Sequence, residues 1–89
     1  MEKKNLNLIK NDIGELLVKQ NLIVTSVSYV KEGNYNFLRI ELDKVNGIDL
    51  DMIVEATNII NPLINKYKFL NESYILDVIS KEKGDVKNG

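Results

Sequence analysis

Eighty-nine residues are enough for one hydrophobic core and too few for two. A composition of 44% hydrophobic and 28% charged residues excludes a disordered chain, and the lack of Cys and His excludes disulfides, thiolate chemistry and imidazole catalysis together. Twelve basic against thirteen acidic side chains give a formal net charge of −1, whereas a domain that holds nucleic acid by itself is usually distinctly basic. Arg39 is the one guanidinium among the cations, so bidentate reading of bases is nearly excluded as well. No apolar run approaches the ~20 residues of a membrane span, and the first residues lead into no signal-peptide core. The cytoplasm is the expected location.

Taken in chain order, the first segment spans residues 3–20 and repeats apolar side chains at Leu6, Ile9, Ile13, Leu16 and Leu17. Spacings of three and four place these on one stripe of an amphipathic helix. Gly14 lies inside it and weakens it by about 1 kcal/mol relative to Ala, so packing has to hold this helix. Asn21 follows the last periodic residue, where a left-handed residue commonly ends a helix.

A hairpin follows over residues 23–43. Its first strand, residues 22–31, is rich in β-branched side chains, with Val27 and Tyr29 on one face and Val24 and Val30 on the other. Apolar residues on both faces suggest a central strand, or one that offers surface to a partner. The loop Lys31-Glu32-Gly33-Asn34 supplies Gly and Asn for a tight reversal. In the second strand, residues 36–43, Leu38, Ile40 and Leu42 alternate with Arg39, Glu41 and Asp43, the pattern of a half-buried strand. Phe37 shares the outward face, and Tyr35 stands at its rim.

After the turn Lys44-Val45-Asn46-Gly47, Asp49 reads as a helix N-cap, with Ile48 and Ile53 spaced as a hydrophobic staple and Asp51 favoured by the helix dipole. The second helix buries Ile53, Ala56, Thr57 and Ile60, and Pro62 is expected to bend or break it near Asn61. A link through Phe69-Leu70-Asn71-Glu72 leads into a third strand at residues 73–80, with Tyr74, Leu76 and Val78 on one face and Ile75, Asp77 and Ile79 on the other. Residues 81–89 read as a polar tail.

The expected fold is therefore α+β, in the order α-β-β-α-β, with two helices packed on one face of a three-stranded mixed sheet. If the second and third strands run parallel, the second helix is a right-handed crossover between them. A strand order of 2-1-3, with the first strand central, fits the pattern. Residues 1–80 form the domain in this reading.

No cluster of side chains converges on a catalytic centre or a metal site, and no cofactor is expected. Asp43, Asp49, Asp51 and Glu55 are the densest charge feature, but their spacing lacks the loop geometry of a calcium site. Capping and dipole effects account for Asp49 and Asp51; an acidic face that docks a basic partner is the functional alternative. Tyr35, Phe37 and Arg39 could stack single-stranded RNA, or be scattered aromatics on a polar sheet face.

The run Val27-Ser28-Tyr29-Val30-Lys31-Glu32-Gly33, followed by Leu38-Arg39-Ile40-Glu41-Leu42-Asp43-Lys44, resembles the hairpin of the RimP family of bacterial ribosome maturation factors. Gly47-Ile48-Asp49-Leu50-Asp51 is similar to that family's acidic helix entry, and Ser73-Tyr74-Ile75-Leu76-Asp77-Val78 to the last strand of its N-terminal domain. The resemblance implies a non-enzymatic domain that assists assembly of the small ribosomal subunit by contacts to ribosomal protein and rRNA, with neither a membrane nor a small molecule as partner. Asp43, Asp49, Asp51, Glu55, Tyr35, Phe37 and Arg39 are then the expected partner-binding residues, and the domain is expected to be a monomer. The chain departs from the family at Ser80-Lys81-Glu82-Lys83-Gly84, where a Ser-Ser-Pro-Gly type segment is usual, and at Pro62. The resemblance also implies a C-terminal barrel after residue 89; residues 81–89 would then be the linker to it, or the chain is a relative without it. The alternative function is a stand-alone interaction module that pairs with a second copy through Val24, Val30, Ile75 and Ile79.

Overall fold

The computed structural model describes residues 2–67 and 73–81; the link expected through residues 69–72 and the tail beyond 81 lie outside the described residues. Helix α1 (Lys3–Leu16) is followed by a short 3-10 turn (Val18–Gln20), strands β1 (Ile23–Glu32) and β2 (Tyr35–Asp43), helix α2 (Leu50–Ile64) and strand β3 (Ile75–Ser80). The order is α-β-β-α-β, an α+β fold. Strand β1 pairs antiparallel with β2, and β2 pairs parallel with β3, so the sheet is mixed and α2 is the crossover helix between its parallel strands.

The local chemistry agrees with the elements. Asp49 caps α2, its Oδ1 accepting the Met52 backbone N–H at 2.9 Å, and Asp51 lies in the first turn. Asn21 takes the left-handed conformation at φ 59° and closes the 3-10 turn. At the hairpin only Gly33 carries the positive φ, 62°, while Asn34 does not; one glycine at the first loop position is the pattern of a type II′ turn. Pro62 does not break α2, which runs on to Ile64. Pro62 stands so close to the C-terminus that only the last turn has to accommodate its missing N–H.

One cluster forms the core. Ile9, Ile13 and Leu17 come from α1 and its C-cap, Leu38, Ile40 and Leu42 from β2, and Ala56, Ile60 and Ile64 from α2, all without exposed surface. Leu16, expected on the same stripe, is instead exposed, because the helix ends there and Leu17 takes the inward position. Both helices cover one face of the sheet.

The sheet order is β1-β2-β3, with β2 in the centre, which corrects the expected order 2-1-3. The expectation rested on apolar residues seeming to occupy both faces of β1. A β-bulge between Val24 and Ser26 weakens that premise: the extra residue, Thr25, inverts the alternation, so Val24 and Val27 lie on the same side, opposite Leu42 and Ile40, while Val30 stays on the other side, opposite Phe37. Val24 is therefore buried in the core and is not an outward residue.

Candidate functional site: the open face of the sheet

The register of the three strands arranges the far side of the sheet into cross-strand rows. Val30 pairs with Phe37, and Phe37 with Ile75, giving an apolar row. Next to it Ser28, Arg39 and Asp77 form a polar row, and then Ser26, Glu41 and Ile79. Val30, Phe37, Ile75 and Ile79 do not pack against the core, and no described element packs on this side. Ile75 is 44% exposed and Tyr35, at the hairpin end, 63%.

Arg39 is held in place across the sheet. Its Nε donates to Asp77 Oδ2 at 2.8 Å and its Nη1 to Glu32 Oε2 at 3.4 Å. These two carboxylates, Asp77 first, raise its pKa further above the ordinary arginine range. Its guanidinium carbon lies 5.6 Å from the centre of the Phe37 ring, within the range of a cation–π contact. Two nitrogens of the fork that would grip a phosphate or a guanine thus face carboxylates instead.

On the three strands this face carries Arg39 against Glu32, Glu41, Asp43 and Asp77. Lys81 follows β3, where its backbone N–H bonds the Leu42 carbonyl; even with it counted, carboxylates outnumber cations two to one. At the other end, where β2 and β3 begin, a cavity of about 320 Å³ is lined by Asn34, Tyr35, Asn36, Ser73, Tyr74 and Ile75.

The expected site residues divide between the two sides of the molecule. Tyr35, Phe37, Arg39 and Asp43 share the open face. Asp49, Asp51 and Glu55 belong to the start of α2, in the layer that covers the opposite side. Asp43 and the three acids of α2 therefore belong to different layers of the fold. Among the described residues no group of Asp and Glu is arranged to hold a metal ion. Sequence reasoning missed Glu32 and Asp77 as the partners of Arg39. Alternation had placed Asp77 on an outward face, but nothing local to residues 73–80 discloses which residue of β2 it meets.

Residues 12–81, well over half of the chain, match the family model described as the RimP N-terminal domain. The match runs from the middle of α1 to the end of β3 and so includes the whole sheet and its crossover helix. The chain belongs to the RimP N-terminal domain family, that of ribosome maturation factors.

Proposed function

We propose that this domain assists assembly of the small ribosomal subunit by binding the immature particle, without catalysis. The family match over residues 12–81 is the observation that carries this reading. The residue inventory supports it: without His or Cys, an enzyme would have to be built from carboxylates, Lys, Tyr, Ser and Thr. Arg39 with Asp77 and Glu32 is an ion-pair network that contains no nucleophile.

Ribosomal protein is the partner that the open sheet face suits, because its excess of carboxylates complements basic surfaces and repels phosphates. A contact to rRNA would fall to lysines on other surfaces, such as Lys3, Lys4 and Lys10 of α1. The domain acts in the cytoplasm and as a monomer in this reading; no described helix is long and apolar enough to cross a membrane.

Deletion of the gene tests the proposal. Cells without the protein should accumulate precursors of the small subunit, and re-expression should clear them. An unchanged subunit profile after deletion would refute the assembly role.

A further inference from the structure

The open face of the sheet combines features that select among possible occupants. Its apolar row, Val30–Phe37–Ile75, crosses all three strands without a helix over it. At the β2–β3 end the row runs into the 320 Å³ cavity, which shares Tyr35 and Ile75 with the face and has room for a bulky side chain. On its other side stand the carboxylates of Glu41, Asp43 and Asp77, with Glu32 at the edge.

Charge decides between three occupants. A second copy would bring the same excess of carboxylates against this one, and like charges brought together across an interface repel. Single-stranded RNA would meet the same repulsion, and the guanidinium beside the stacking platform of Tyr35 and Phe37 is paired with Asp77 and Glu32. A basic protein segment gains on both counts. Its Arg or Lys side chains meet the carboxylates while an apolar neighbour covers the Phe37 row and enters the cavity.

We infer that the open sheet face is a docking surface for a basic protein segment, rich in Arg and Lys, that carries a large apolar anchor residue. The anchor sits between Tyr35 and Ile75, and the cations lie over Glu41 and Asp43, beside the Arg39–Asp77 pair. This refines the assembly-factor reading by naming the chemistry of the protein partner and the face that it meets.

The test uses the ¹⁵N-labelled chain and a short synthetic peptide of alternating Leu and Arg, with a Leu/Glu peptide and oligo-uridine as controls. The Leu/Arg peptide should shift the amide signals of Val30, Phe37, Arg39, Glu41 and Ile75, leave those of α1 unmoved, and bind more weakly as salt rises. Phe37→Ser and Ile75→Ser should each weaken it about tenfold. Glu41→Gln, which keeps an acceptor for Thr25, should weaken it less while reducing the salt dependence. Shifts centred on the helices, equal binding of the Leu/Glu peptide, or oligo-uridine on the same residues would overturn the inference. The two readings fail separately: subunit binding that survives Phe37→Ser and Ile75→Ser sinks this face alone, whereas peptide binding without subunit binding sinks the ribosomal role alone.

Discussion

The hydroxyl of Thr25 lies 2.7 Å from Glu41 Oε1 and 3.1 Å from the Glu41 backbone carbonyl, so the extra residue of the β1 bulge is tied to the central strand. This tie holds the irregular stretch in register at the point where Val24 turns into the core. Thr25→Val keeps the branched shape and removes the donor. It should lower the unfolding free energy by about 1 kcal/mol, the usual net contribution of one hydrogen bond. Chemical denaturation measures this, and an unchanged midpoint would mean that the bulge stands without the bond.

Two glycines should respond to Ala in opposite directions. A Cβ built on Gly14 meets nothing within 4 Å, and the residue sits in the interior of α1, so Gly14→Ala should stabilise the fold by about 0.5–1 kcal/mol. Gly33 is equally uncrowded, but its φ is 62°, a conformation that costs an L-residue roughly 1–2 kcal/mol. Gly33→Ala should therefore destabilise. Thermal melts of the two variants side by side decide the matter, and a shift of the same sign in both would contradict the backbone argument.

The cap of α2 offers a third test. Asp49→Ala removes the acceptor for the Met52 N–H and should cost about 1 kcal/mol, while Asp49→Asn keeps an acceptor and should cost less. Because Asp49 lies in the helical layer, neither change should alter binding at the sheet face. A loss of peptide or subunit binding in Asp49→Asn at unchanged stability would place this residue in the binding site.

Tyr67 donates a 2.5 Å hydrogen bond to Asp12 Oδ2, joining the segment after α2 to the middle of α1. Burial first, and then the Asp12 carboxylate, push the Tyr67 hydroxyl well above its ordinary value of about 10. A tyrosine with a raised folded pKa holds its proton more tightly when folded. Its stabilisation is complete below pH ~10 and is lost as the pH climbs toward the folded value. Burial and the neighbouring Tyr29 raise Tyr74 in the same direction, so a single variant removes only part of the effect. Stability should fall with rising pH above about 10, and less steeply in Tyr67→Phe. Identical alkaline slopes for the two proteins would count against a raised pKa at Tyr67.

Much of the fold was legible in the sequence because its signals are local. The alternation of Leu38, Ile40 and Leu42, the Asp49 cap and the stripe of Ile9 and Ile13 each arise within a few residues, and each appears in the structure. Strand order was not legible. With helices on one side only, a central strand alternates between core and open face as an edge strand does, so the pattern of β2 says nothing of its position. The bulge at Thr25 compounded this by making Val24 look as though it shared a face with Val30. The candidate site was half legible. Tyr35, Phe37, Arg39 and Asp43 follow from the alternation of one strand, but Asp77 joins Arg39 across 38 residues through a parallel register that no turn dictates. The acids of α2 were grouped with Asp43 by proximity in sequence, and the crossover carries them to the other layer.

The most direct test of the central claim is co-sedimentation of this chain with immature small ribosomal subunits at low and moderate salt. The chain should pellet with the particles, and less of it should do so as salt rises. A chain that stays in the supernatant at low salt, where folded protein and intact particles are both verified, would contradict the assignment of subunit binding to this domain.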